Sequence, residues 1–256
     1  MPESGLPPIP DTFRWTRHPW GQVLECVPLG GAASHGWTTR QLALQGDEAT
    51  VASSWESLAA AAGRPASAVR HLKQVHGARV IVADTLPSGE TPEADAAVST
   101  DARWVLAVRT ADCVPILLAD THSGAVAAVH AGWRGSAAGI VSEAVRHLAA
   151  TARTGPESVV AGVGPSIGPC CYRVGAELVQ AFERRGHEPH RWFAERDGLY
   201  LDLWRATRDQ LLAAGVRGDR IHVARLCTAC HERWFHSYRR DGAAAGRLVG
   251  YIRRRD

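Results

Sequence analysis

Short runs of apolar residues, each bounded by polar or turn residues, dominate the middle of the chain. Residues 104–108, 114–118 and 125–129 are almost continuously apolar and rich in valine, leucine and alanine. Five residues are too few for an ordinary helix, and an unbroken apolar run is typical of a strand that is covered on both faces. The pattern therefore predicts three buried strands.

A helical period follows Gly135. Apolar residues recur with the spacing of one helical face, at Ala137, Ile140, Val141, Ala144, Val145 and Leu148. Ser136 stands where an N-cap belongs, because its hydroxyl oxygen can accept a hydrogen bond from a free N–H group of the first turn. We therefore predict a helix that is capped by Ser136 and buries this face.

The rest of the pattern alternates strands with helices. Strands are predicted at 158–163, 221–224 and 247–253, helices at about 174–185 and at 203–214 before Gly215, and a Gly-Pro-rich loop at 164–171. This alternation predicts an α/β or α+β fold, in which a mixed β-sheet is flanked by helices. Residues 13–256 are expected to form one domain, and residues 1–12 a flexible proline-rich arm.

Composition and charge narrow the class of protein. The 256 residues are 45% hydrophobic and 21% charged, within the globular range. The formal net charge is only +3 and the arginines are scattered, so we expect no nucleic-acid partner. The N-terminus lacks the pattern of a secretory signal, and no apolar stretch reaches the roughly 18 residues of a membrane span. We expect a cytoplasmic protein without membrane contact, whose six cysteines are thiols or ligands.

Three segments place a metal-capable side chain beside small residues at the edge of a predicted strand. They carry His76, Cys113 and His130. One thiolate and two imidazoles suit zinc, and three protein ligands leave the fourth tetrahedral position for water or substrate. Copper also accepts these ligands. Because the chain has 12 histidines and six cysteines, composition alone leaves other triples open.

The segments around these residues resemble the YfiH family, also called the laccase-domain or polyphenol oxidase family. The matching stretches are 74–77, 93–95, 110–115, 130–135 (HAGWRG), 164–175 (GPSIGPCCYRVG), 201–203 and 227–247 (CTACHERWFHSYRRDGAAAGR). The resemblance implies the fold of that family for a single catalytic domain, and its metal ligands fall on the same His76, Cys113 and His130. It also implies phosphorolysis of adenosine, inosine and methylthioadenosine, with an adenosine deaminase activity. An older assignment within the family is copper-dependent oxidation of polyphenols.

A purine nucleoside and phosphate would then be the small-molecule partners, and we expect a monomer or weak dimer. Phosphorolysis needs positive charge to fix the phosphate, and Arg134 offers a planar fork beside a glycine-rich turn that opens a helix. The resemblance adds three further candidates for this role, Arg239, Arg240 and Arg247.

Deamination needs an activated water and a proton shuttle. Zinc would lower the pKa of a bound water to roughly 7. Asp112, which precedes a predicted ligand in the sequence, is the candidate shuttle, although a carboxylate at such a position more often orients a ligand. Cys113, His130, Asp112 and Arg134 are thus the predicted catalytic residues. Trp133 could stack on a purine or serve as a packing anchor.

The other cysteines have structural interpretations. Cys170 and Cys171 are adjacent and are not expected to point the same way, so packing under the Gly-Pro loop is predicted for both. Cys227 is expected near the site by resemblance. Residues 227–231 match the pattern for covalent haem attachment, a match that we attribute to chance because we find no export signal.

Three other functions remain open. A copper-dependent oxidase would use the same ligands, but a multicopper enzyme needs several centres and paired His-x-His segments, which the sequence lacks. A cysteine hydrolase that edits peptidoglycan precursors would use Cys113 as nucleophile and His130 as base. A purely structural zinc site would need a fourth protein ligand, for which Cys227 and His71 are the candidates.

Overall fold

The computed structural model describes residues 5–87 and 89–256, and these ranges contain six α-helices and 15 β-strands. The helices are α1 Glu48–Ala61, α2 Trp133–Ala137, α3 Ile140–Ala152, α4 Glu177–Glu183, α5 Leu203–Ala213 and α6 Tyr238–Asp241. The strands are β1 Phe13–His18, β2 Gly21–Cys26, β3 Ala33–Thr38, β4 Val69–Arg70, β5 Val80–Val82, β6 Ala96–Ser99, β7 Val105–Thr110, β8 Val114–Asp120, β9 Val126–Ala131, β10 Val159–Val163, β11 Arg173–Val174, β12 Phe193–Glu195, β13 Leu199–Leu201, β14 Ile221–Val223 and β15 Leu248–Arg254.

Most of these strands form two six-stranded sheets. The first has the order β1-β2-β3-β15-β7-β4 and the second the order β14-β10-β8-β9-β6-β5, while β11-β13-β12 form a small third sheet. Both large sheets are mixed, because β4–β7, β10–β14 and β5–β6 are parallel and their other pairs antiparallel. The predicted mixed α+β class is confirmed, with two large sheets in place of one.

Alternate residues of the central strands enter different cores. In β8, Leu117 packs between the two sheets, whereas Ile116 faces the helices α3 and α5. In β7, Leu106 packs between the sheets and Val105 lies in the core beside α1. The result is four layers, helix, sheet, sheet and helix. Both faces of each central strand are covered, and for this reason the sequences of these strands are unbroken apolar runs.

The helix predicted after Gly135 is two helices. Residues 133–137 form the short α2, and Gly139, with φ +88°, separates it from α3. That backbone conformation suits glycine and breaks the helical hydrogen-bond series. Ser136 is therefore buried inside α2, and Gly139 occupies the N-cap of α3. The predicted apolar face is confirmed, since Ile140, Val141, Ala144, Val145 and Leu148 are all buried.

The other predicted elements are present with small shifts of boundary. The helix predicted at 174–185 is shorter, because residues 173 and 174 pair with β13. The predicted helix at 203–214 matches α5, and Gly215 has φ +94° at its end. The longest helix in the described ranges has 14 residues, and none is long and apolar enough to cross a membrane.

The proline-rich segment at the N-terminus is described from residue 5 onward. Residues 5–12 contact the domain, where the carbonyl oxygens of Gly5 and Pro7 accept hydrogen bonds from the indoles of Trp234 and Trp15 at 2.7 and 3.2 Å. Residues 1–4 of the predicted arm lie outside the described residues.

A buried carboxylate fastens the turn between the two central strands of the second sheet. Asp120 ends β8, and its side chain accepts hydrogen bonds from the hydroxyls of Ser123 and Thr154, both at 2.7 Å, and of Ser158. Burial alone would raise the pKa of this carboxyl, but these donors outweigh it and lower the pKa to about 2.

We expect Asp120→Asn to lower the free energy of unfolding at pH 7 by about 2 kcal/mol, the equivalent of the pKa depression. Because the folded pKa lies below the unfolded one, this stabilisation is present above about pH 4 and is lost as the pH falls toward 2. Urea denaturation at pH 7 and pH 2.5 measures the free energy of unfolding of the wild type and of Asp120→Asn. The difference between the two proteins should be smaller at pH 2.5 than at pH 7. Asp219→Asn, at an exposed ion pair, is the control and should change little. A difference of the same size at both pH values would contradict this account.

Candidate metal centre and its cavity

The structure brings the three predicted metal ligands together. His76 lies in the loop between β4 and β5, Cys113 directly precedes β8, and His130 lies near the end of β9. The antiparallel register pairs Val114 with Ala131, so the start of β8 and the end of β9 are neighbours. One ring nitrogen of each imidazole and the thiol sulfur lie within 4.8 Å of one another.

A fully buried carboxylate, that of Asp95, organises this group. One oxygen accepts a hydrogen bond from Nδ1 of His130 at 2.8 Å and from the backbone N–H of His76 at 2.9 Å. The other accepts from the N–H of Gly77 at 2.7 Å. Asp95 thus fixes the ring of one candidate ligand and the backbone of another, and it leaves Nε2 of His130 to face the group. Asp95 was not among the predicted site residues, although it ends the matching stretch 93–95.

Hydrogen bonds inside the group favour the thiolate of Cys113. Burial alone would raise the pKa of the thiol, but bonds from His130 and His76 lower it to about 6. Burial alone would lower the pKa of His130, but its bonds with Asp95 and Cys113 raise it to about 9. Cys113 is thus held toward the ionised form that metals bind.

The backbone around the group is also specialised. A Cβ atom on Gly132 would lie 2.9 Å from Sγ of Cys113 and 3.0 Å from Cδ2 of His76, so only glycine leaves these side chains their space. His76 and Asp112 have φ of 60° and 85°, values that residues other than glycine rarely adopt. Together with the soft and borderline character of the ligands, this close-set group fits one zinc-sized ion.

The group borders a cavity of about 710 Å³. Its wall includes five basic and three aromatic side chains, those of Lys73, Arg109, Arg134, Arg239 and Arg247 and of Trp133, Tyr172 and Tyr238. Lys73 pairs with Glu93, but none of the four arginines forms an ion pair with another described residue. The cavity is therefore suited to an anionic ligand that carries an aromatic group.

The predicted phosphate-binding arginines do not all reach this cavity. Arg134 lines it with its guanidinium 4.4 Å from the ring centre of Trp133, and Arg239 lines it 5.1 Å from that of Tyr172. Arg247 lines it too. Arg240 does not line it, because it is ion-paired with Asp241 at 2.6 Å and donates to three backbone carbonyls. Arg109 lines the cavity and was missed, because one arginine after an apolar run carries no distinctive pattern.

Asp112 borders the cavity, but its carboxylate is engaged. One oxygen accepts from the hydroxyl of Thr228 and the other from the backbone N–H of Arg239, both at 2.6 Å. These bonds tie the segment before Cys113 to the loop after β14 and to α6. This arrangement supports a positioning role for Asp112 in preference to proton transfer.

Neither predicted fourth ligand belongs to the His76, Cys113 and His130 group. His71 contacts the ring of Trp55 edge-on, and the sulfur of Cys227 lies in a second group with those of Cys170, Cys171 and Cys230. The prediction that Cys170 and Cys171 point apart is wrong, since their sulfurs lie 3.5 and 3.3 Å from that of Cys230. The chain turns tightly there, where the N–H groups of residues 171 and 172 both donate to the oxygen of Gly168.

The fold and the site define a mixed α+β protein with a candidate mononuclear metal centre in a basic cavity. The chain belongs to the laccase-domain family, because residues 29–255 match the model described as "Multi-copper polyphenol oxidoreductase laccase".

Relatives and a solved structure extend this comparison. The "Purine nucleoside phosphorylase" of Bacteroides thetaiotaomicron is 39% identical over 161 residues, which are 62% of this chain and 60% of that protein. The "Purine nucleoside phosphorylase YfiH" of Shigella flexneri is 38% identical over 193 residues, 75% of this chain and 76% of that one. The crystal structure of YlmD from Geobacillus stearothermophilus matches with a TM-score of 0.86 and 33% identity, over 96% of this chain and all of that one. The chain therefore spans less than two thirds of the Bacteroides relative and the whole of the YlmD structure.

We expect Asp95→Asn to weaken zinc binding at His76, Cys113 and His130 by 10- to 100-fold, the usual cost of losing a carboxylate that orients a ligand. An amide carries no charge, and its nitrogen cannot accept the backbone N–H groups. Competition with a chromophoric chelator measures the affinity for zinc. The affinity that belongs to this site is the one that is lost in Cys113→Ala. Glu93→Gln, which makes the same change two residues away at an exposed ion pair, should leave the affinity within about twofold. Equal affinities of the two variants would remove Asp95 from the site.

Proposed function

We propose that this protein is a zinc-dependent purine nucleoside phosphorylase. The observation that carries the proposal is a three-ligand metal group in the same cavity as four arginines that form no ion pair with a carboxylate in the described part of the chain. Phosphorolysis needs an anion site for phosphate, and a polarising centre beside that site would stabilise the charge that develops in the transition state. The names of the relatives from Bacteroides and Shigella supply the substrate class.

In phosphorolysis, an oxygen of phosphate attacks C1′ of the ribose and the bond from C1′ to the purine nitrogen breaks. The electron pair leaves with the purine, which takes up a proton. The forked guanidinium of Arg134, aided by Arg239 and Arg247, would hold the phosphate and align it for attack. Arg109 lies on the same cavity wall and would add to the positive field.

The purine would lie against an aromatic part of the cavity. Trp133 and Tyr172 line it, and each already has an arginine guanidinium near its ring. Adenosine, inosine and methylthioadenosine share the purine and the ribose, so all three fit such a recognition, and the cavity volume lies within the usual range for small-molecule sites.

A divalent metal held by His76, Cys113 and His130 would supply Lewis acidity at the edge of this cavity. Adenosine deamination is the second activity that we propose, with water adding at the purine carbon that bears the amine and ammonia leaving. We favour zinc over copper, because one thiolate and two imidazoles make a typical zinc site. A multicopper enzyme needs several centres, and the only other metal-capable group of three or more residues in the described ranges consists solely of cysteines.

One observation favours a second candidate, a cysteine hydrolase. Cys113, His130 and Asp95 are hydrogen-bonded in series, the order of a nucleophile, a base and the group that orients the base. The same series describes a metal ligand oriented by a carboxylate. His76 distinguishes the hydrolase from the metal centre. A hydrolase does not need a second imidazole beside the thiolate, whereas the metal centre uses His76 as a ligand.

We expect the purified, zinc-loaded protein to release adenine from adenosine and hypoxanthine from inosine only when phosphate is present. Chromatography of free base and ammonia follows both proposed activities. Removal of the metal by a chelator, and the variants Cys113→Ala and His130→Ala, should each abolish turnover because each breaks the ligand set.

The hydrolase makes different predictions for the same set of proteins. His76→Ala would leave a hydrolase active toward its own amide or ester substrate, and chelation would not affect it. Absence of nucleoside turnover by protein with one zinc at this group would overturn the phosphorylase.

We expect Arg134→Ala to raise the KM for phosphate by about 10- to 100-fold, the equivalent of one lost hydrogen bond to a charged group. Initial rates at varied phosphate and saturating inosine measure this change. Arg146→Ala removes an exposed arginine that pairs with Glu143 on α3 and does not line the cavity, and it should leave the KM unchanged. An unaltered phosphate KM in Arg134→Ala would place the phosphate elsewhere.

A further inference from the structure

A second group of metal-capable side chains lies outside the cavity. Four cysteine sulfurs are within 4.8 Å of one another, and they form the tetracysteine cluster, which consists of Cys170, Cys171, Cys227 and Cys230. None of these residues lines the cavity, and the function proposed above uses none of them. None of the four forms a disulfide bond with another described cysteine.

The topology of the second sheet creates this cluster. Strands β10 and β14 are parallel neighbours, so the loops after them leave the same edge of the sheet. A parallel β-bridge between Ser166 and Cys227 joins the two loops. The N–H of Ser166 donates to the oxygen of Leu226, and the N–H of Thr228 donates to the oxygen of Ser166, each at 3.1 Å. Each loop then contributes one pair of cysteines.

The spacing within each pair suits a metal. Cys227 and Cys230 are separated by two residues, the commonest spacing of half of a structural zinc site. Cys170 and Cys171 are adjacent, and the tight turn that begins at Gly168 directs both toward Cys230. The N–H of Gly168 donates to Sγ of Cys227 at 3.3 Å, the kind of bond that stabilises a thiolate ligand. A Cβ at Gly168 would lie 2.6 Å from the ring of Trp204 and 3.2 Å from Sγ of Cys170, so this turn requires glycine.

The sulfur separations match the edges of a small tetrahedron. Zinc–sulfur bonds of about 2.3 Å place the four sulfurs about 3.8 Å apart. The sulfur of Cys230 lies 3.3 and 3.5 Å from those of Cys171 and Cys170, and all four sulfurs lie within 4.8 Å of one another. Disulfide-bonded sulfurs would be about 2.05 Å apart. One ion, with all four sulfurs as its ligands, satisfies these distances.

We propose that the tetracysteine cluster binds one thiophilic divalent ion, zinc, as a closed structural site that is separate from the His76, Cys113 and His130 centre. Four protein ligands leave no position for a substrate, so the ion fastens loops and takes no part in a reaction. The binding itself does not depend on the proposed phosphorylase activity.

The loops that the ion would fasten form one wall of the cavity. Tyr172 follows Cys171 and lines the cavity, and Thr228 follows Cys227 and donates to Asp112, the neighbour of Cys113. Arg239 donates to the oxygen of Arg173 at 2.7 Å. A structural ion at the tetracysteine cluster would therefore hold the side of the cavity that faces the first centre.

The test is the metal content of the full chain, purified under reducing conditions and measured by mass spectrometry of the elements. We expect two equivalents of zinc in the wild type, one in Cys230→Ser and one in Cys113→Ala. Cys26→Ala removes the one cysteine outside both groups and should retain two. We also expect Cys230→Ser to melt at a lower temperature than the wild type, with the difference abolished when both proteins are stripped of metal.

Cobalt distinguishes the two sites without any reliance on activity. Cobalt bound to four thiolates gives intense sulfur-to-metal absorption, and this signal should persist in Cys113→Ala and disappear in Cys230→Ser. Wild-type protein without a four-thiolate cobalt spectrum, or the same zinc content in the wild type and in Cys230→Ser, would overturn the proposal.

The wild type alone also tests the proposal, should a variant fail to fold. Thiol titration of the native, metal-loaded chain should find the exposed Cys170 and Cys230 unreactive until a chelator is added. Reaction of both thiols before chelation, or a disulfide within the cluster in peptide mass spectra of the reduced preparation, would overturn it. Failure of the phosphorylase assay would leave all of these readouts unaffected.

Discussion

The carboxylate of Asp95 connects the parts of the candidate metal centre that come from distant places in the chain. It lies fully buried at the start of β6 and binds the ring of His130 together with the backbone of the loop that carries His76. A buried charge of this kind is stable only when it is completely hydrogen-bonded. Its donors in turn hold that loop against the edge of the second sheet, and the placement of His76 relative to His130 depends on this one interaction.

The four-layer architecture explains why the centre lies where it does. The central strands are covered on both faces, so their side chains are committed to packing and polar chemistry is confined to strand ends. Antiparallel pairing of β8 with β9 places Cys113 beside the end that carries His130. The parallel pair β10 and β14 sends two cysteine-bearing loops out of the same sheet. Both metal-capable groups are thus products of strand register.

The His76, Cys113 and His130 group and the tetracysteine cluster have different surroundings. The first lies beside arginines that have no carboxylate partners among the described residues, and it has an open side toward a cavity of about 710 Å³. The second consists only of thiols and is joined to the first through Thr228 and Asp112. An open group in a basic cavity suits catalysis on anions, whereas a closed group suits support of the loops.

The sequence by itself determined the mixed fold class, most element positions and the three residues of the first group, because apolar periodicity and distinctive local motifs are properties of short segments. Only the tertiary structure decided the rest. It revealed two sheets in place of one, since an apolar strand does not record whether a sheet or a helix covers it. It identified Asp95 and Arg109, removed Arg240 from the cavity and split the helix at Gly139. It also brought Cys170 and Cys171 to Cys230, about 60 residues away, because contacts between distant segments depend on register and turn geometry, which no local pattern encodes.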